Sequence, residues 1–342
     1  MARTEAAPPI DIVIAWVDGN DPAWQAEKAR FAPGAETFSG AERYRDWGSL
    51  RYLFRGIERF APWARSVFLV TWGHVPPWLN TAHPQLRVVR HEDYIPAEYL
   101  PTFNANPIEL NFHRIEGLAE RFVYFNDDML LTKKTRATDF FLHGKPRDTA
   151  VLTAHTHDEG DLYGFFMYRA AGLINKHFRL RDVIARNRMG WYNPRYGRKA
   201  LRTFLLRRLF KDRFPGILHH HLPSSLTKTA MAEVWALERE KLEETCRRKF
   251  RSLTDFNQYV FTDWQVASGA FAPRRAAVGK VFNLTGAAAF DKAIAYIRDG
   301  RGYMISINDH RMSEEDYRVY SQGVCGALDV ILPGRCAFEL DE

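Results

Sequence analysis

Two adjacent carboxylates, Asp127 and Asp128, stand at the end of the apolar run FVYF (122–125), with Asn126 before them and Met129-Leu130 after. Neighbouring residues of an extended strand point to opposite faces, so both carboxylates face one ligand only where the chain turns. Brought together they repel, and one is driven toward protonation unless a cation neutralises the pair. A hard cation such as Mg²⁺ takes oxygen ligands, often one or two carboxylates plus substrate phosphates. Asn and Asp also make ordinary solvated turns. The local pattern leaves a metal site and a turn equally open.

Other residues could join them. Asp18 and Asp21 lie in the turn DGNDP (18–22), which taken alone favours plain turn chemistry. Trp16, just before it, could stack on a nucleobase or fill a core. His113 follows Glu109 by four residues, a spacing that shares a face on a helix and suits either proton transfer or a structural hydrogen bond. His219, His220 and His221 precede Pro223, which leaves a metal or phosphate contact and an incidental run both open. Asp309, with Asn308 and His310, closes another apolar run.

These residues need elements to position them. Ile10–Val17 (IDIVIAWV), Val67–Trp72, Leu86–Arg90, Phe122–Phe125 and Gly302–Asn308 read as strands. Leu50, Leu53, Phe54 and Ile57 mark an amphipathic helix within 47–60, and Ile108, Phe112, Ile115 and Leu118 predict another over 107–120. A long helix is expected from Thr229 to Phe250, capped somewhere in 224–229. The alternation argues for an α/β layer sheet, largely parallel. Ligands in such sheets gather outside the carboxyl ends of the strands. The polar groups at 18–21, 73–74 and 126–128 all follow predicted strands, and that coincidence weighs more than any one cluster.

Composition sets outer bounds. The 342 residues are 46% hydrophobic and 26% charged, with a net charge of +7. That surplus favours anionic partners without choosing among nucleotides, phosphorylated polymers, lipid surfaces and nucleic acid. The stretch 195–214 carries eight basic residues against Asp212. Its basic residues scatter around a helical wheel and leave no clean apolar stripe, so a solvated basic face is the expectation over a membrane-surface helix. Cys246, Cys325 and Cys336 suggest neither a disulfide framework nor a zinc site, which fits a reducing compartment. No signal-like segment opens the sequence and no apolar run approaches the roughly 20 residues of a membrane span. A cytoplasmic protein is expected, at most peripheral to the inner face of a membrane. No P-loop, GxGxxG, HExxH or GxSxG signature occurs, and no nucleic-acid module is recognisable.

Four blocks, taken together and in order, resemble the Stealth family. They are IDIVIAWVDGNDPAW (10–24); RYRDWGSLRYLFRGIERFAPWARSVFLVTWGHVPPWL (43–79) continuing through LPTFNANPIELNFHRIEGLAERFVYFNDDMLL (100–131); HLPSSLTK (221–228) with FRSLTDF (250–256); and ISINDH (305–310) with ILPGRCAFEL (331–340). That family includes bacterial capsular and exopolysaccharide sugar-1-phosphate transferases and the animal enzyme that builds the mannose-6-phosphate tag. The resemblance implies an α/β fold, Rossmann-like and glycosyltransferase-A-like, with a mixed, largely parallel sheet flanked by helices and a helical insertion. Residues 1–9 would be a flexible N-terminus and 10–342 a single catalytic domain, with 160–250 a more helical, basic subregion.

The implied reaction is transfer of sugar-1-phosphate from a UDP-sugar to a hydroxyl of a glycan or lipid-linked glycan, releasing UMP, with Mg²⁺ or Mn²⁺ as cofactor. Matched by position, the resemblance makes Asp128 and Asp309 metal-site residues with Asp127 beside them. It gives Glu109, His113 and Arg114 active-site roles, Arg251 a diphosphate contact, and His221 the role of proton acceptor or phosphate ligand. Either His113 or His221 would be the base. Trp16, Val17, Asp18 and Gly19 would hold the nucleotide, and Asn104, Asn126 and Asn308 would bind substrate. Ala15 stands where many relatives carry threonine or serine, and Asn106-Pro107 also departs from the usual pattern. The rival reading is a metal-dependent glycosyltransferase that releases UDP; a non-catalytic polyanion-binding protein is a second.

Overall fold

The computed structural model of the chain describes residues 8–32, 40, 44–310 and 312–341. The N-terminus expected over residues 1–9 therefore falls largely outside the described residues. In chain order the strands are β1 (Ile10–Ala15), β2 (Val67–Thr71), β3 (Leu86–Arg90), β4 (Arg121–Asn126), β5 (Met129–Leu131), β6 (Phe141–Leu142), β7 (Lys145–Asp148), β8 (Ser224–Thr227), β9 (Ala272–Pro273), β10 (Gly279–Asn283) and β11 (Met304–Asn308). The helices are α1 (Pro22–Phe31), α2 (Leu50–Phe60), α3 (Ala105–Leu110), α4 (Ala137–Phe140), α5 (Leu162–His177), α6 (Leu180–Arg186), α7 (Arg188–Trp191), α8 (Lys199–Phe210), α9 (Lys228–Cys246), α10 (Tyr259–Ser268), α11 (Ala287–Arg298) and α12 (Glu314–Ile331).

The main sheet has the order β3-β2-β1-β4-β8. Its first four strands are parallel and β8 runs antiparallel on the β4 edge. Strands β1, β2 and β4 are buried on both faces, which is why they read as continuous apolar runs, whereas β3 at the edge exposes Arg87 and Arg90. Side chains alternate between two cores: Val13, Phe68, Val70, Phe122 and Tyr124 face one, while Ile12, Ile14, Leu69, Val123 and Phe125 face the other. Helices α3, α5, α6, α9 and α10 cover the first core, and α2, α11 and α12 the second. A second sheet, β10-β11-β5, shares that second core. The α/β class with a mixed, parallel-rich sheet flanked by helices holds, and α5–α8 form the helical insertion before β8.

Local chemistry explains the boundaries. Asp21 caps α1 by accepting from the Trp24 amide at 2.8 Å, with Pro22 at the first helical position. Thr227 caps α9, inside the expected 224–229 window. Asp11, fully buried in β1, accepts two hydrogen bonds from Arg65 (2.8 and 2.5 Å) and one from the Ala119 amide (2.7 Å), so its charge is paired.

Three expectations fail. The long helix expected to run to Phe250 ends at Cys246. The first strand ends at Ala15, which leaves Trp16 and Val17 in the following loop. The helix expected over 107–120 is broken into three pieces. Helix α3 stops at Leu110, a 3₁₀ turn spans Phe112–Arg114, and Gly117 sits at φ +73°. Asn111 donates its side-chain amide to the Pro107 carbonyl (2.8 Å), satisfying a helix-end acceptor and closing the helix.

Candidate active site

Asp127 and Asp128 form the turn between β4 and β5, the point where the chain leaves the main sheet and enters the second. The Ile307 amide donates to the Asp128 carbonyl (3.0 Å), which seats this turn against the end of β11. Asn308 and Asp309 follow at that end. Two strand ends from one small sheet thus bring both acidic segments to a single cavity of about 1100 Å³. Its lining includes Trp16, Val17, Glu109, Asn126, Asp127, Asp128, His221, Arg251, Asn308 and Asp309.

A polar chain links several of them. His221 Nε2 lies 3.1 Å from Asp128 Oδ2 and 3.4 Å from Asn126 Nδ2, and its Nδ1 is 3.3 Å from the Tyr259 hydroxyl. Ser306 donates to Asp128 Oδ2 at 3.0 Å. The Tyr124 hydroxyl lies within hydrogen-bond reach of Asn126 Oδ1 and 2.9 Å from Glu109 Oε1. Glu109 Oε2 accepts from the Gln258 amide at 3.3 Å. Burial pushes the Glu109 carboxyl up, partly opposed by the Tyr124 hydrogen bond and the Arg251 charge. Burial alone would lower the His221 pKa, but the Asp128 charge and hydrogen bond outweigh it and raise it.

Arg251 reaches the cavity from a loop held by a buried carboxylate. Asp255 is fully buried and accepts from Asn104 (2.9 Å), Asn106 (3.1 Å), Arg248 (2.9 Å) and the Ser252 amide (3.0 Å). Asn104 also caps α3. Asn104 therefore does not line the cavity; it ties α3 to the Arg251 loop, and Asn106 shares that work.

Four further expected residues also lie off the lining. Asp18 sits in its turn, its amide donating to His74 Nε2 (2.7 Å) and its carboxylate accepting from the Asn20 amide (2.9 Å). Gly19 abuts Tyr44: a Cβ there would meet the Tyr44 carbonyl oxygen at 2.2 Å, and Tyr44 does line the cavity. His113 and Arg114 turn to α9 instead. The His113 ring centroid is 5.9 Å from that of Trp235, and the Arg114 guanidinium stacks over the same indole at 4.9 Å. Burial depresses the His113 pKa to about 4. The break after Leu110 is the reason: Glu109 and His113 do not share a helix face.

The three consecutive histidines all line the cavity but take different partners. His219 pairs with Asp263 (2.7 Å), His220 lies 3.2 Å from Lys199 Nζ, and only His221 joins the acidic turn. Among the described residues no group of three or more His, Cys, Asp or Glu side chains forms a metal cluster. A cation held by two carboxylates and substrate phosphates does not need one. Asp128 Oδ1 is buried with no hydrogen-bond partner among the described residues. Burial, then the charges of Asp128 and Asp46, push Asp127 up to about 7. A free carboxylate oxygen beside uncompensated negative charge fits a divalent cation.

Sequence reading passed over several residues here. Asp46 adds a third carboxylate to the field at Asp127. Arg45 Nη1 lies 3.8 Å from Asp309 Oδ2. Tyr124 reads as a plain strand residue, yet its hydroxyl joins Glu109 to Asn126. The alternation that sends Phe125 into one core sends Tyr124 to the opposite face, and that was the available signal. Asn283 reaches Asn308 (2.8 Å) from β10, a long-range contact without sequence signature.

Comparison with known proteins decides the family. The family model for Stealth protein CR1, conserved region 1, matches residues 8–34, and that for Stealth protein CR2, conserved region 2, matches residues 43–148. The receptor polysaccharide phosphotransferase WefC of Streptococcus oralis is 36% identical over 337 residues, 97% of this chain and 99% of that protein. The chain belongs to the Stealth family. The capsular polysaccharide phosphotransferase WcwK of Streptococcus pneumoniae is 34% identical over 97% of this chain and 99% of its own length. The exopolysaccharide phosphotransferase cps2G of Lactiplantibacillus plantarum is 33% identical over 96% of each. This Stealth protein is an enzyme, a phosphotransferase of polysaccharide synthesis. The bifunctional glycosyltransferase WbbM matches in structure at a TM-score of 0.37 and 12% identity, covering 94% of this chain and 50% of that one, too weakly to bear on the fold.

Proposed function

We propose that the enzyme transfers sugar-1-phosphate from a UDP-sugar to a hydroxyl of a glycan acceptor and releases UMP. The observation that carries this reading is the meeting of Asp127, Asp128, Asn308, Asp309, His221, Glu109 and Arg251 on one cavity. Ligand cavities commonly span about 300–1,000 Å³, so about 1100 Å³ accommodates a nucleotide-sugar and the end of an acceptor.

In the proposed reaction the acceptor oxygen attacks the β-phosphorus, the one bonded to the sugar. The new O–P bond forms as the bond to the bridging oxygen breaks, and that oxygen leaves with its electron pair on UMP. The acceptor proton passes to His221. Pairing with Asp128 raises the proton affinity of that ring, which suits a proton acceptor. His113, turned onto Trp235, is set aside as the base. Arg251 stabilises charge on the transferring phosphoryl oxygens, and positioning supplies most of the rest. Trp16 and Val17 line the cavity at the end of β1 and would bound the nucleotide. Asp128 and Asp309 would hold Mg²⁺ or Mn²⁺, which supplies charge neutralisation for the diphosphate.

The reading is tested by Asp128→Ala. Loss of transfer with an unchanged melting temperature is expected. Near-normal product formation by a folded variant would remove the acidic turn from the mechanism.

A further inference from the structure

Helix α8 presents its apolar residues to solvent. Leu201, Phe204, Leu205 and Leu209 are 60%, 41%, 56% and 71% exposed. With Arg208 they follow i, i+3, i+4, i+7, i+8 spacing, which is one face of a helix. The opposite face carries Ala200, Thr203 and Leu206 and packs on the protein: Thr203 is fully buried, and its hydroxyl accepts from the Leu152 amide at 3.1 Å. The expected solvated basic face is present, with Arg198, Arg202, Arg208, Lys211 and Arg213 exposed, and this orientation adds an exposed apolar stripe to it. The helix is apolar on two sides, so no single stripe stands out on a wheel.

Exposed basic residues accompany the stripe. Arg198, Arg202, Arg208, Lys211 and Arg213 are exposed on the same segment, Arg202 also reaching the Thr153 hydroxyl, and Asp212 is the single acid between 195 and 214. The Arg208 guanidinium lies over the Phe204 ring at 4.5 Å. Long basic side chains set beside an apolar strip can reach anionic headgroups while the strip enters the boundary below them. A second copy of the chain would set the same positive charge against itself, which disfavours self-association through this face.

We propose that α8 is a membrane-surface helix that binds anionic phospholipid, with Leu201, Phe204, Leu205 and Leu209 entering the headgroup boundary. The helix is also tied to the cavity, since Lys199 Nζ lies 3.2 Å from His220 Nε2 and His220 lines it. Docking therefore sets the cavity beside the membrane surface. The binding claim stands independently of the proposed donor.

Co-sedimentation with vesicles tests it. The full chain should pellet with vesicles of phosphatidylcholine plus phosphatidylglycerol and not with phosphatidylcholine alone, and the bound fraction should fall as salt is raised. The double variant Leu205→Glu/Leu209→Glu should weaken the apparent affinity by at least about tenfold. Both side chains are exposed, so its melting temperature should match the parent. Equal pelleting of variant and parent, or no preference for anionic vesicles, would overturn the proposal. So would a parent that light scattering shows to be a dimer dissociated by Leu209→Glu and that binds no vesicles.

Discussion

His221 stands between two carboxylates with different tasks. Asp128 meets its ring at 3.1 Å, while Glu109 acts from farther back through Tyr124 and Asn126. Replacing His221 by Gln keeps a polar group but removes the proposed proton acceptor, so kcat should fall by about 10²–10⁴-fold with folding intact. His113→Gln should leave kcat within a few-fold of the parent, because that ring packs on Trp235. Steady-state kinetics on the two variants checks both; equal losses would contradict the assignment. The residue types alone could not separate these histidines. Each follows an apolar segment and each has an acid nearby in sequence or space. What separates them is the chain break at Asn111, and that depends on a side-chain bond to the Pro107 carbonyl rather than on spacing.

At the scale of elements, β1, β2 and β4 were legible because burial on both faces demands unbroken β-branched and aromatic runs. Their predicted limits differ from the observed ones by a residue or two. Strand β5 was not legible. Three residues after an acidic turn carry no period of their own, and their pairing with β11 spans about 175 positions of sequence. That pairing is what aims Asp128 and Asp309 at one cavity. The exposed apolar stripe of α8 was not legible because tertiary packing uses one apolar side and leaves the other exposed. The loop bearing Arg251 depends on Asn104, which bonds the buried Asp255 and caps α3. Asn104→Ala should cost about 1–3 kcal/mol of stability by leaving buried polar groups unpaired. It should also raise the donor KM more than it lowers kcat, since Arg251 is displaced rather than lost. Denaturant melts and kinetics read the two effects; an unchanged KM would make Asn104 purely structural.

Across the whole molecule, stability and chemistry rest on separate charge sets. Glu238, at the kink of α9, accepts from His177 (2.5 Å), Lys176 (2.6 Å) and Lys241 (2.8 Å), far in the fold from the acidic turn. Burial alone would raise its pKa, but these three partners outweigh it and hold it at about 2. A carboxylate depressed in the folded state adds stability above its ordinary value of 4.5 and loses it as pH falls toward about 2. Glu238→Gln should therefore lower the melting temperature at neutral pH and flatten its decline between pH 4.5 and 2; a parallel decline in both proteins would refute the linkage. The buried pair of Arg55 with Glu339 (2.7 and 2.9 Å) joins α2 to the end of the chain. Glu339→Ala leaves that guanidinium only its longer contact with Asp329 (3.4 Å) and should cost up to about 3 kcal/mol.

In the proposed reaction the acceptor oxygen attacks phosphorus and not the sugar carbon. The nucleotide product distinguishes the two directly. Purified enzyme is incubated with a panel of UDP-hexoses and UDP-N-acetylhexosamines, a glycan acceptor and Mg²⁺, and the nucleotides are separated by chromatography. Acceptor-dependent release of UMP, lost in Asp128→Ala, is the predicted result. Release of UDP in step with acceptor modification would contradict it.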